Sequence, residues 1–107
     1  MKEFEPITDE QAHTYASWFR ALGDPTRVRL LHLLARAGRP MTVGELVDRV
    51  EVGQSTVSHH LRILAEVRFV LPEKRRTSTL YAVNRACLSV FPRAVRSIMG
   101  EEAPDGC

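Results

Sequence analysis

Residues Gly53 to Ala65 read G-Q-S-T-V-S-H-H-L-R-I-L-A, and this stretch decides how the rest of the chain is interpreted. Val57, Leu61 and Leu64 recur at intervals of four and three residues, which predicts one apolar stripe along a helix. The remaining positions carry polar side chains that either address the bases and phosphates of DNA or belong to a capped, solvated helix face. These polar positions are Gln54, Ser55, Thr56, Ser58, His59 and Arg62.

The residues before this stretch predict a second, shorter helix. Thr42 and Glu45 have the spacing of a capping box, which marks a helix start. Gly53 then supplies a tight turn into the polar stretch. Two short helices joined by a glycine-containing turn form the helix-turn-helix pattern, in which the second helix enters the major groove of DNA.

The residues after the stretch predict a β-hairpin. Two β-prone runs, Phe69–Leu71 and Thr79–Val83, flank the polar segment Pro72–Ser78. Because no Asn-Gly or Asp-Gly pair is present, we expect a loop longer than two residues. A hairpin in this place is a wing. Its basic residues either contact DNA phosphates and the minor groove or form a solvated turn, and they are Lys74, Arg75 and Arg76.

Two helices are predicted before the helix-turn-helix. A capping box at Thr8 starts the first near Asp9, and Gly23-Asp24-Pro25 ends it and begins a second that runs to about Ala37. Leucines surround most of the second helix, which predicts a buried element with His32 as a hydrogen-bonded core side chain. The first helix has a broad aromatic face that packs either within the chain or against a second copy; it includes Tyr15, Trp18, Phe19 and Leu22.

A last helix is predicted from a cap at Asn84 to Gly100. Pro92 lies within it and removes a backbone hydrogen bond, so we expect either a kink there or a helix that begins near Phe91. Residues 84–100 contain no further helix-breaking residue before the terminal glycine. The acidic tail that follows is expected to be frayed.

Length and composition bound the class of protein. With 107 residues, 44% of them hydrophobic, the chain is expected to form one domain over residues 1–107, with flexible ends at 1–8 and 101–107. No apolar run is long enough to span a bilayer and no signal peptide is evident, so we expect a cytoplasmic protein without a membrane partner. The net charge is only +2, but residues 54–76 hold five Arg or Lys and two Glu, the distribution expected of a nucleic-acid face.

Four segments together resemble the winged helix-turn-helix repressors of the ArsR/SmtB family, over about residues 12–99. They are A-L-G-D-P-T-R-V-R-L-L-H-L-L (Ala21 to Leu34), V-G-E-L (Val43 to Leu46), Q-S-T-V-S-H-H-L-R-I-L (Gln54 to Leu64) and L-Y-A-V-N (Leu80 to Asn84). The resemblance implies a mainly α (α+β) winged helix-turn-helix, with about five helices and a two-stranded hairpin wing. It also implies a homodimeric repressor that binds a palindromic operator in double-stranded DNA.

The same resemblance assigns roles to residues. The polar positions of the Gly53–Ala65 stretch and the cations of the wing face DNA. The homodimer joins through its first and last helices, and the interface residues are Tyr15, Trp18, Phe19, Leu22, Phe91, Val95 and Ile98. Val67-Arg68 departs from the small residue and glycine usual before the first wing strand, which alters the turn there and offers Arg68 as a further phosphate contact.

The effector is left open by the sequence. Family members that sense soft metals carry a C-x-C where this chain has Val47 and Arg49, and the zinc-type ligand positions hold Arg85, Cys87, Ile98 and Glu101. No cofactor is required. A transition metal, nickel or zinc, bound through non-standard ligands remains one option, a regulatory partner protein that does the sensing is a second, and no effector at all is a third. The candidate metal ligands are His13, Cys87 and Cys107.

Two other functional classes compete with DNA binding. An enzyme is not expected, because the sequence has no nucleophile elbow, phosphate loop or paired catalytic carboxylates. A winged helix that serves only as a protein-interaction module is the alternative from a different class. Such a module would not need basic charge on the second helix and the hairpin, and that charge favours DNA.

Overall fold

The computed structural model describes residues 6–101 of the chain. Cys107 and most of the acidic tail lie outside the described residues, as do residues 1–5. In the described part, none of the helices combines the length and apolar character needed to cross a membrane.

Five helices and three strands make up the fold. In chain order they are α1 (Asp9–Ala21), α2 (Pro25–Ala37), β1 (Met41–Thr42), α3 (Val43–Val47), α4 (Gln54–Glu66), β2 (Val70–Arg75), β3 (Ser78–Val83) and α5 (Cys87–Ile98). The predicted winged helix-turn-helix is confirmed: α3 and α4 form the helix-turn-helix, and β2 and β3 form the wing. We call α4 the recognition helix.

The starts of α1, α2 and α3 lie where the capping residues predict. Thr8 and Thr42 each form a complete capping box, with Gln11 and Glu45 respectively. The Asp24 carboxylate accepts hydrogen bonds from the backbone N–H groups of Thr26 (2.8 Å) and Arg27 (3.2 Å) at the start of α2. These interactions are local in sequence, since the cap and its partner are two or three residues apart.

The core forms around the apolar stripe of the recognition helix. Val57, Leu61 and Leu64 are completely buried, as the 3.6-residue period predicts. They belong to one cluster with side chains from α2, α3 and the sheet. Its other fully buried large members are Leu30, Leu34, Leu46 and Val70.

The second helix is less buried than its sequence predicts. Leu30 and Leu34 are inaccessible to solvent, but Val28 is 48% exposed and His32 is also exposed. One face of α2 packs against the recognition helix and β3, and Val28 and His32 lie on the opposite, solvent-exposed face. The prediction of a core histidine at position 32 is therefore wrong.

The sheet differs from the sequence prediction in two respects. The short strand β1 was not predicted; it pairs with β3 through Met41 opposite Tyr81 and gives the strand order β1-β3-β2. The wing turn is also shorter than expected, because Arg75 pairs with Ser78 and leaves two residues between the strands. Arg76 closes this turn with φ +54°, a left-handed conformation that asparagine and glycine adopt more readily.

The last helix begins at Cys87, so the alternative of a start near Phe91 is wrong, and Pro92 lies inside the helix. Asn84 does not cap α5 directly, because the N-cap position is Ala86. Its side chain instead links the turn after the recognition helix to the turn before α5. Asn84 Oδ1 accepts from the Ala86 backbone N–H at 3.2 Å, and Nδ2 donates to the Arg68 carbonyl at 2.8 Å.

Arg68, between the recognition helix and β2, has φ +66°. A side chain in the left-handed region is strained by roughly 1–2 kcal/mol, and glycine is not. We expect Arg68→Gly to raise the free energy of unfolding by about 0.5–1 kcal/mol, the net of relieved strain and a more flexible unfolded chain. Urea denaturation followed by circular dichroism measures the change. Arg68→Ala is the control, since it removes the guanidinium and keeps the strain; an equal gain in both variants would contradict this explanation.

Candidate nucleic-acid interface

The recognition helix and the wing border a common groove. Gln54, Ser58 and Arg62 lie four residues apart along one line of α4 and form one side of this groove. The opposite side is the Thr77–Thr79 segment of the wing, and the start of α3 closes one end. The groove has a volume of about 360 Å³ and a mainly polar lining. The fold therefore brings polar groups from helix and hairpin to one surface.

The polar residues predicted to face DNA lie on the solvent side of the recognition helix. Ser58 is half-buried and the other five are exposed; they are Gln54, Ser55, Thr56, His59 and Arg62. Their position is set by the completely buried stripe on the opposite side of the same helix. Their contact with DNA itself stays a prediction.

The start of the recognition helix differs from the starts of the three helices before it. α1, α2 and α3 each have a side chain that accepts hydrogen bonds from their first backbone N–H groups. The N-cap of α4 is Gly53, which makes no such side-chain bond. The amides of this first turn are thus open to an external acceptor, and the helix dipole favours an anion there.

The wing carries three exposed cations, Lys74, Arg75 and Arg76. Arg75 Nε donates to Glu73 Oε2 at 2.8 Å, so part of its charge is already compensated. In the described part of the chain, Lys74, Arg76 and Arg62 of the recognition helix form no ion pair with a carboxylate. These three cations are therefore free to approach phosphates or base edges.

A polar contact connects the recognition helix to the start of α2. Arg27 Nη1 donates to His60 Nδ1 at 3.0 Å, and His60 Nε2 lies 3.9 Å from Asp24 Oδ1. Arg27 Nε also donates to the Ala21 carbonyl at 2.6 Å. Because a guanidinium can only donate, His60 Nδ1 accepts and the ring proton lies on Nε2, towards Asp24. The sequence pattern did not identify Arg27 and Asp24 as partners of His60.

Asp24 is the acidic member of this contact. Partial burial raises the pKa of its carboxyl, but the backbone hydrogen bonds from Arg27 and Thr26, the nearby His60 ring and the charge of Arg27 lower it by more. The pKa therefore lies below the ordinary value of 3.8, and Asp24 is ionised at neutral pH. Its charge and its cap on α2 both hold the start of α2 beside the recognition helix.

α1 and α5 meet through aromatic side chains. The Phe91 ring lies 5.4 Å from that of Phe19, 6.2 Å from that of Trp18 and 5.5 Å from that of Phe69, measured between centroids. Phe19 nevertheless remains 44% exposed and Ile98 42% exposed. Both helices thus contribute to the core and leave an apolar outer surface. The other residues predicted for the dimer interface, Tyr15, Leu22 and Val95, are half-buried.

The candidate metal ligands His13 and Cys87 do not belong to a metal-binding cluster within residues 6–101. The His13 ring nitrogen Nδ1 lies 2.9 Å from the Asp9 carbonyl oxygen of the same helix, and the Cys87 thiol donates to the Arg68 carbonyl at 3.6 Å. Burial raises the pKa of the Cys87 thiol, which disfavours the thiolate form that binds metals. Among residues 6–101, no three His, Cys, Asp or Glu side chains are grouped to hold a metal ion. Cys107, the third candidate, lies outside this range.

Comparison with known proteins gives consistent matches. Residues 24–71 match the model of the family described as "Bacterial regulatory protein, arsR family". An uncharacterised HTH-type transcriptional regulator of Methanocaldococcus jannaschii is 39% identical over 74 residues, which are 69% of this chain and 82% of that protein. A transcriptional repressor SmtB homologue of Synechocystis sp. is 42% identical over 62% of this chain and 48% of its own length.

A solved structure with a similar fold is also a transcriptional regulator. The structure of an ArsR-like transcriptional regulator from Rhodococcus sp. RHA1 superimposes with a TM-score of 0.74 and 26% sequence identity. The superposition covers 85% of this chain and 84% of that one. The proteins to which the chain is similar are transcriptional regulators and not enzymes, which confirms the expectation drawn from the missing catalytic motifs.

Proposed function

The chain belongs to the ArsR/SmtB family of DNA-binding transcriptional regulators, and from this premise we propose that it acts as a homodimeric repressor bound to a palindromic operator. The observation that carries the proposal is the polar groove shared by the recognition helix and the wing. The major groove of B-DNA admits an α-helix. The phosphates along the edges of the groove then lie beside the elements that flank the helix, such as the wing. Repression follows when the bound dimer blocks a promoter.

In this proposal the recognition helix reads base edges along the line of Gln54, Ser58 and Arg62. Gln pairs with adenine and Arg with guanine through two hydrogen bonds each, and Ser accepts or donates with several bases. Ser55 and Thr56 lie at the uncapped start of the helix, where free backbone N–H groups suit a phosphate. The phosphate then takes the place that Thr8, Asp24 and Thr42 fill at the starts of α1, α2 and α3.

The wing contributes mainly charge. Lys74 and Arg76 are exposed and unpaired with carboxylates of the described chain, whereas Arg75 is held by Glu73. Cations of this kind position a protein on the DNA backbone without reading its sequence. Arg76 is also held in place by the two-residue turn, so its side chain starts from a fixed point at the tip of the hairpin.

The dimer forms through α1 and α5. Phe19 and Ile98 expose large apolar groups on the helices that the family resemblance assigns to the interface. Burial against the same surface of a second copy removes this apolar area from water, which stabilises the dimer by roughly 25 cal/mol per Å². A twofold-symmetric dimer presents two recognition helices, which explains why the operator is expected to be an inverted repeat. Members of this family are generally dimeric.

We expect selection from random double-stranded DNA by gel shift to enrich an inverted repeat. Binding to that repeat falls steeply with salt, because protein cations that contact phosphates release condensed counterions. Fluorescence anisotropy with the selected operator between 50 and 200 mM potassium chloride, roughly the range over which phosphate contacts weaken strongly, measures the dependence. A scrambled duplex of the same length and base composition is the control. If no palindrome is enriched at any salt concentration, the proposed function is wrong.

Two arginine variants separate base reading from charge. Arg62→Ala is expected to weaken operator binding by about 1–3 kcal/mol and to reduce discrimination against the scrambled duplex, because a paired base contact is lost. Arg76→Ala weakens both duplexes by similar factors and reduces the salt slope by about 1. Arg36→Ala, an exposed arginine on α2 outside the groove, is the matched control. Unchanged operator affinity in both test variants would place the DNA surface elsewhere.

A charge in the proposed interface tests the dimer. Phe19→Asp places a carboxylate in the apolar contact, so we expect at least a tenfold rise in the dimer dissociation constant, measured by sedimentation velocity across a dilution series. Val28→Asp is the control, since Val28 is similarly exposed, at 48% against 44%, but lies on α2. Equal dissociation of both variants, or of neither, argues against the α1 and α5 interface.

A further inference from the structure

A second cavity lies at the C-terminal end of the recognition helix and shares no lining residue with the polar groove. It has a volume of about 370 Å³ and is lined by α1, α5 and the segment 66–69 that joins the recognition helix to β2. This volume falls within the roughly 300–1,000 Å³ of small-molecule sites in proteins. Its lining is predominantly apolar with a few polar groups, which is the usual character of such sites.

We propose that this cavity is an effector site for a planar, uncharged aromatic molecule of one or two rings. The inference rests on the proposed function, since it assigns the regulation of DNA binding to a particular place. None of the residues that form the cavity belongs to the groove at the DNA face. The two sites are therefore distinct, and a ligand in one does not block the other sterically.

The walls favour a flat aromatic ligand. Trp18, Phe69 and Phe91 line the cavity, and their ring centroids form a triangle with sides of 6.3, 6.2 and 5.5 Å. Aromatic rings pack against one another at centroid distances of about 4.5–7 Å, in tilted or offset arrangements. A planar ligand can extend this packing. Val67 and Val90 add aliphatic surface to the same walls.

The polar lining favours a molecule without net charge. Glu66 and Arg68 both lie at the cavity and are exposed, so the opening carries one negative and one positive side chain. Thr14 and Ser17 add hydroxyl groups from α1. Asn84 is already engaged through both ends of its amide. A ligand with one hydroxyl group thus finds hydrogen-bond partners at the opening and apolar surface within.

The cavity is connected to the DNA-binding elements through Arg68. The carbonyl of this residue accepts from Asn84 Nδ2 and from the Cys87 thiol, which ties the turn after the recognition helix to the start of α5. The same residue holds the left-handed backbone that directs the chain into the wing. A ligand that fits one arrangement of this turn better than another changes the angle between helix and wing, and thereby the affinity for DNA.

The cavity also differs from the proposed dimer interface. Trp18 and Phe91 belong to both, but the more exposed interface residues Phe19 and Ile98 do not line the cavity. The interface can therefore form on the outer surface of α1 and α5 while the cavity stays open. A cavity filled by side chains of the second copy is the competing occupant, and the experiment distinguishes it.

Trp18 is the only tryptophan of the chain, so it reports on the cavity directly. The full chain is labelled with 5-fluorotryptophan and titrated with 2-naphthol, and fluorine NMR follows the Trp18 resonance. We expect a saturable shift, with calorimetry giving the dissociation constant. Ser17→Leu fills the cavity from α1 and is expected to weaken binding at least tenfold. Should Ser17→Leu not fold, Val90→Phe fills the cavity from α5 and is expected to have the same effect. Ser89→Leu, which lies on α5 outside the cavity, is the matched control.

The effect of the ligand on DNA binding is measured with the operator selected above. Saturating 2-naphthol is expected to change operator affinity at least fivefold in the wild type and the control, and less than twofold in the filled variants. The proposal is overturned by an unmoved Trp18 resonance, by equal binding to all variants, or by unchanged operator affinity at saturation. A resonance that moves on protein dilution and not with 2-naphthol overturns it in favour of the second copy. Operator binding without ligand is measured in the same series, so failure of the DNA-binding proposal is recognised separately.

Discussion

Complete burial of one stripe of the recognition helix is the constraint on which the rest of the structure depends. Val57, Leu61 and Leu64 have no solvent-accessible surface and pack against leucines of α2 and α3. Burying each such side chain contributes about 1.5–3 kcal/mol. Rotating the helix about its axis would expose these side chains and would therefore cost several kilocalories per mole. The orientation of the polar side is thereby determined. Gln54, Ser58 and Arg62 lie on the solvent side because Val57, Leu61 and Leu64 must face the core.

This constraint explains what could be predicted from the sequence. The helix-turn-helix depends on a 3.6-residue apolar period and on caps whose partners lie two or three residues away, as at Thr42 and Glu45. Features that depend on distant residues were missed. β1 exists because Met41 pairs with Tyr81, and the contact of Arg27 with His60 spans 33 residues. The wing turn was predicted too long because nothing local in the sequence indicates that Arg76 accepts a left-handed conformation.

The two left-handed arginines lie just beyond the ends of β2 and have different support. Arg76 is constrained by strand pairing, since Arg75 and Ser78 close the turn around it. Arg68 is constrained by its carbonyl, which accepts from Asn84 and Cys87 at the start of the next helix region. Strain of this size persists only where surrounding contacts determine the backbone. The direction of the wing relative to the recognition helix therefore depends on these contacts as well as on Phe69 and Val70, which are buried in the core where the wing begins.

The buried stripe and the turn at Arg68 differ in how firmly they are held, and this difference indicates where regulation can act. The recognition helix is held by completely buried side chains, and moving it alone would open voids in a close-packed core. The turn at Arg68 is held by hydrogen bonds. Its carbonyl accepts from Asn84 Nδ2 at 2.8 Å and from the Cys87 thiol at 3.6 Å, its N–H donates to the Ala65 carbonyl at 3.0 Å, and the Phe69 N–H donates to the Leu64 carbonyl at 3.0 Å. The turn also borders an open cavity. Each of these hydrogen bonds contributes a net of about 0.5–1.5 kcal/mol, less than the burial of one side chain of the stripe. A signal that reaches this molecule is therefore more readily transmitted through the connection between helix and wing, and from there to the spacing of the DNA contacts, than through the recognition helix itself.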